Sequence, residues 1–135
     1  MANCSFDEVS CANRSEIINH PQDQIANVHI VDEANLAAGT YYKMWDRRGK
    51  RHGSINMKCS GGVTVTLWAT NDPEATTASE ATWSDVTNTI TGSSTLVDSG
   101  DMYFWDGNIV CRKMMIKYVT ADASNAIDIW YYESP

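Results

Sequence analysis

From Gly62 onward the chain alternates. Val63, Val65, Leu67 and Ala69 are apolar or small, and Thr64, Thr66, Trp68 and Thr70 stand between them. Side chains of a strand point to opposite faces with a period of two, so this octet predicts a strand with an aliphatic inward row and a β-branched or aromatic outward row. Asn71-Asp72-Pro73 ends it, because Asn and Asp bond their own following backbone and Pro fixes φ and removes a donor. After a small polar loop, Trp83-Ser84-Asp85-Val86-Thr87 resumes the strand pattern.

The same reading extends both ways. Asn27 to Glu33 alternates, and Gly39 to Asp46 carries Tyr41, Tyr42, Met44 and Trp45, large on both faces. Such a strand is buried on both sides or faces a partner. Arg47 to Gly53 sets two glycines around a charged tip and reads as a hairpin loop. Ser54 to Ser60 places Ile55, Met57 and Cys59 inward, and Ile90, Leu96 and Val97 mark short strand pieces. Asp101 to Asp106 sets Met102 and Phe104 against Tyr103 and Trp105. Arg112 to Val119 and Ala126 to Tyr132 supply the last two strands. About eight short strands at roughly 8–14-residue spacing predict an all-β fold, an antiparallel β-sandwich or jelly roll. Its predicted core is Ile55, Met57, Cys59, Val63, Val65, Leu67, Phe104, Met114, Ile116, Ile127 and Ile129.

Residues 1–26 break from this pattern. They are polar, with isolated Phe6, Val9, Ile17 and Ile18, too few for a self-sufficient amphipathic helix. They read as an N-terminal arm ahead of a sandwich domain at 27–135. The arm is either a loose tail or a segment that orders against a neighbour.

Strand, Asn71-Asp72, loop and Trp83-Ser84-Asp85-Val86 together resemble the β-sandwich domains of bacteriophage virion proteins. More distantly they are similar to discoidin-like carbohydrate-binding sandwiches. In both groups a second signature of the type Ala-Arg-Tyr-Val-Arg-Ile follows. Here Cys111-Arg112-Lys113-Met114-Met115-Ile116-Lys117-Tyr118 takes its place. The resemblance runs from Gly53 to the C-terminus, with Pro73 where the pattern usually has Gly. It implies a β-sandwich and a place in a virion.

Composition narrows the chemistry. A chain of 135 residues suits one domain. Seventeen acids against ten bases give −7, which argues against a nucleic-acid binder working by bulk charge. No apolar run approaches the ~20 residues that span a bilayer, so no membrane partner is expected. The first residues show no basic region followed by an apolar block, so no secretory signal is expected and folding in a host cytoplasm fits. Cys4, Cys11, Cys59 and Cys111 show no C-x-x-C spacing, and His20, His29 and His52 are scattered, so no metal or other cofactor is expected. Cys59 and Cys111 read as small hydrophobes on strands rather than a disulfide. No nucleophile–base motif or phosphate loop is present, and the paired carboxylates at Asp32-Glu33, Asp98/Asp101 and Asp122/Asp128 read as turn chemistry.

Two features remain. Arg47, Arg48, Lys50 and Arg51 concentrate four of the ten positive charges. They form either a solvated tip or a contact for an acidic patch on a partner. Five tryptophans are more than one core needs. The outward rings, with Trp45, Trp68, Trp105 and Trp130 as candidates, suit a protein interface or stacking on sugar rings. The expectation is a non-enzymatic capsid decoration or cement protein of a phage head. It would be a homo-oligomer, a trimer, bound to the major capsid protein, with Phe6, Val9, Ile17 and Ile18 of the arm reaching capsid or neighbouring subunits. The alternatives are a tail or fibre component, or a carbohydrate-binding module that holds a surface glycan in host attachment.

Overall fold

The computed structural model describes residues 25–77, 82–96, 102–122 and 124–135. The arm, with Phe6, Val9, Ile17 and Ile18, lies outside the described residues, as do Val97, Asp98 and Asp101. In chain order the elements are β1 (Ala26–Leu36), β2 (Gly39–Asp46), β3 (His52–Cys59), β4 (Val63–Thr70), β5 (Ser84–Asp85), α1 (Thr87–Thr91), β6 (Tyr103–Asp106), β7 (Lys113–Thr120) and β8 (Asn125–Ser134). They form two antiparallel four-stranded sheets, ordered β1-β8-β3-β6 and β2-β7-β4-β5.

Consecutive strands change sheet at every step except β4 to β5. A chain that crosses between layers this way winds two Greek keys into a jelly roll. Arg47 to Arg51 is therefore an inter-layer crossover and not the hairpin that its glycines suggested, because β2 and β3 belong to different sheets. The glycine signal was real but marked only a turn: Arg48 at φ 50° and Gly49 at φ 81° reverse the chain.

The inward rows meet between the layers. Ile55 and Met57 of β3, Val65 and Leu67 of β4, Met114 and Ile116 of β7, and Ile127 and Ile129 of β8 are all buried, as alternation predicted. Cys59 and Val63 are half-buried and pack at the margin. Phe104 does not belong to the core: it is 67% exposed, and Trp105 is inward at 2%. Both are aromatic, so alternation alone could not choose the face of this four-residue strand. The decision comes from across the sheet. Gly53 is paired with Trp105, and a Cβ there would sit 2.6 Å from the indole.

The Ile90 region is the helix α1 and not a strand piece. Asp85 Oδ1 accepts the Thr87 N–H at 2.9 Å, and Gly92, at φ 75°, closes the last turn by donating its N–H to Asn88 O at 2.8 Å. Buried Thr87 then does a strand's work. Its Oγ1 accepts the Leu67 N–H at 2.7 Å and donates to the Leu67 carbonyl at 3.2 Å. The ladder thus stays satisfied beyond two-residue β5.

Candidate docking site

Arg47 follows β2, and its side chain turns in between the layers. It is 0% exposed, as is Glu133 of β8. Arg47 Nε donates to Glu133 Oε2 at 2.7 Å. Two indoles complete the shell of the carboxylate: Trp45 Nε1 donates to Oε1 at 2.8 Å and Trp105 Nε1 to Oε2 at 3.2 Å. Arg47 Nη1 reaches the Ile109 carbonyl and, at 3.6 Å, Cys111 Sγ. Nη2 has no hydrogen-bond partner among the described residues. A buried ion pair costs desolvation that only good geometry and added hydrogen bonds offset. Here they bind β2, β6, β8 and the 109–111 connection, and so both layers, at one point.

Burial shifts the ionisation of three groups, two of them beside the clamp. Trp45 stacks on Tyr131 with ring centroids 4.3 Å apart. Burial first, and the Glu133 charge second, push the Tyr131 phenol up to about 12. Burial also raises the Cys111 thiol, although a hydrogen bond and the charge from Arg47 oppose it. Tyr118 is raised by burial, then by Glu33 and Tyr41.

What the clamp holds is a charged end. The Lys50 N–H bonds the Arg47 carbonyl at 2.9 Å and the Arg51 N–H bonds the Ser134 carbonyl at 3.0 Å, which ties the crossover to β8. Asp46 Oδ1 accepts the Arg48 N–H at 3.0 Å. Arg48 and Arg51 are exposed, and half-buried Lys50 donates Nζ to the Arg47 carbonyl at 3.3 Å. Arg112 comes alongside from the start of β7. Its N–H bonds the Thr70 carbonyl at 3.0 Å and its Nε the Asn71 carbonyl at 3.2 Å. An open cleft of about 380 Å³ lies among Asp46, Arg48, Asn71, Val110, Cys111 and Arg112. Val110 is 63% exposed there. Among the described residues none of Arg48, Lys50, Arg51 and Arg112 pairs with a carboxylate.

The two outer faces differ. On the β2-β7-β4-β5 sheet, Trp83 and Ala75 bury Met115, with Tyr42 and Trp68 packed beside them. Lys117 Nζ lies 5.9 Å from the Tyr42 ring and 5.7 Å from the Trp68 ring. The β1-β8-β3-β6 face is open and ring-bearing. Its register sets Asn27, Tyr132, Ser54 and Phe104 in one row across all four strands, and His29, Trp130 and Asn56 in the next. Phe104, Tyr132, Trp130 and Met102 are its exposed large side chains.

Of the interface residues expected from sequence, Arg48, Lys50 and Arg51 lie together at the charged end, and Trp130 lies on the open face. Arg47, Trp45 and Trp105 form the clamp, so the first and last are closed to a partner and Trp45 is half-buried against Tyr131. Trp68 is half-buried, capped by Lys117 and bonded to Thr66 Oγ1 at 2.9 Å. Sequence reasoning missed Arg112, Val110 and Phe104 at these surfaces. Arg112 carried a signal, a cation directly before a strand, but nothing local places it beside a crossover some sixty residues earlier in the chain. It missed Glu133 too, a lone acid closing an aromatic strand. Cys59 and Cys111 are both free and half-buried. His29, Asp32 and Asp128 bring three ligand atoms within 4.8 Å of one another, a set able to hold a cation; here the imidazole itself bridges toward both carboxylates. No protein-family model matches this chain, and comparison with curated proteins finds no match.

Proposed function

We propose that the protein is a non-enzymatic structural component of a bacteriophage particle, a decoration or cement protein that seats on the outer surface of the icosahedral head. The observation that carries this reading is the charged end. Arg48 and Arg112 line a cleft with exposed Val110 and with Asp46; Lys50 and Arg51 follow on the same crossover, and none of the four cations pairs with a carboxylate among the described residues of a chain whose net charge is −7. A cationic crossover beside an exposed apolar side chain, held in place by a buried clamp, suits an acidic patch on the major capsid protein. Charge steers the encounter and the apolar contact holds it. The resemblance of the segment from Gly53 onward to virion sandwiches supports the same partner. The chain acts as a homo-oligomer, a trimer, and the arm at residues 1–26 extends the contact to capsid or neighbouring subunits.

The test is binding of the purified chain to particles from which it has been stripped. Binding is expected to weaken steeply with salt, and by about tenfold or more in Arg48→Glu/Arg51→Glu, the scale of reversing two rim charges. Deleting residues 1–24 is expected to leave a folded sandwich that no longer binds. Binding of either variant at full strength, or binding indifferent to salt, would contradict the proposal.

A further inference from the structure

We infer that the open face of the β1-β8-β3-β6 sheet holds a binding site for a neutral carbohydrate, with a sugar ring stacked on Trp130. The site is separate from the charged end and goes beyond docking there.

The argument begins with register. Alternation along β8 sends Ile129 and Tyr131 inward and Trp130 and Tyr132 outward. Pairing then sets Asn56 of β3 and His29 of β1 on either side of Trp130, and Ser54 and Asn27 on either side of Tyr132. One ring face of Trp130 is already backed. His29 stacks on it with centroids 4.8 Å apart and planes 16° apart. His29 is held in turn by Asp128 at 2.9 Å, with Asp32 at 3.8 Å. The indole is therefore oriented before any ligand arrives, which lowers the ordering cost of binding.

Trp130 also lines a depression of about 150 Å³, together with Asn27, Ser54, Asn56, Met102 and Tyr132. None of these side chains is charged. Among the described residues no hydrogen bond engages the side-chain amides of exposed Asn27 and half-buried Asn56, so each has donor and acceptor to offer, while Ser54 lines the same depression but is buried. An aromatic face beside neutral groups that both donate and accept matches a molecule with an apolar ring face and a rim of hydroxyls. That is the chemistry of a pyranose. Electrostatic complementarity sets its charge: an uncharged depression on a chain of −7, flanked by Asp128, disfavours sialylated or phosphorylated ligands. A nucleobase could stack in the same way, but in a nucleic acid it would bring phosphates toward this acidic surface.

The experiment screens the full chain on an array of neutral, sialylated and sulfated glycans, with free nucleosides assayed in parallel. Calorimetry on the best neutral glycan follows. At least one neutral glycan is expected to bind. Its affinity is expected to fall about tenfold or more in Trp130→Ala, the scale of one lost ring contact, and measurably in Asn27→Ala, a change at an exposed position that leaves the core intact. It should be indifferent to salt and unchanged in Arg48→Glu/Arg51→Glu, which separates this site from capsid docking. No neutral ligand on the array, preference for anionic glycans or nucleosides, or binding that survives both Trp130→Ala and Asn27→Ala would overturn the inference.

Discussion

At the residue scale, the fate of Arg47 turns on one partner. It belongs to a cationic tip by sequence, yet Glu133 draws it out of solvent, and the two neighbouring indoles make the burial tolerable. Glu133→Gln leaves the guanidinium buried without its counter-charge. It is expected to cost about 3–5 kcal/mol in urea unfolding, the range for breaking a buried pair from one side. The double variant Arg47→Met/Glu133→Leu is expected to cost less than Glu133→Gln, because nothing charged is stranded. Equal or additive losses would show that the pair is not the unit. Tyr131 reports on the same place. A phenol held near 12, against an ordinary value of about 10, is stabilised in its neutral form. Its contribution to stability is whole below about pH 10 and is lost as pH rises toward 12. An ultraviolet titration should therefore show Tyr131 ionising well after the exposed tyrosines among the six, with buried Tyr118 also delayed. A single transition near pH 10 would contradict the burial.

At the scale of elements, strands with clean alternation of aliphatic and polar residues were legible in the sequence. β3, β4, β7 and β8 place their aliphatic rows as the period of two requires. The failures came where both alternating sets were large. In β6 either Phe104 or Trp105 could face in, and in β7 Met115, on the face opposite the Met114-Ile116-Tyr118 row, is buried all the same beneath Trp83. What decides each case is a non-local partner: Gly53 makes room for Trp105, and the segment after β4 lays Ala75 and Trp83 over Met115. Two substitutions test this. Gly53→Ala forces a Cβ against the indole and against the Tyr132 carbonyl at 2.7 Å; a loss of about 1–3 kcal/mol is expected from overpacking. Trp83→Ala is expected to cost about 3–5 kcal/mol if the small cluster is part of the cooperative core. A near-zero change would mean that the 71–83 connection is an ornament on an already complete sheet. The helix α1 was hidden because Thr87 serves Leu67 as a strand neighbour would, and nothing in a threonine announces that role.

At the scale of the molecule, the clamp, the charged end and the open face divide the labour. The buried pair joins both layers near one end, the crossover there displays Arg48 beside Arg112 and carries Arg51 further along, and the ring-bearing face stays clear of them on a different side chain set. The sequence showed the cluster of charges and the surplus of rings. It could not show which cation is buried or which rings are exposed, because both depend on pairings across the jelly roll. If the charged end seats the protein on a capsid lattice, occupancy follows the symmetry of the shell, which presents many more equivalent sites than a tail does. The measurement that tests this most directly is the copy number of the chain per purified particle, by quantitative mass spectrometry against the major capsid protein. A number on the order of hundreds, in fixed ratio to capsid subunits, is expected for a surface-decorating protein. A number on the order of ten, or absence from the particle, would contradict it.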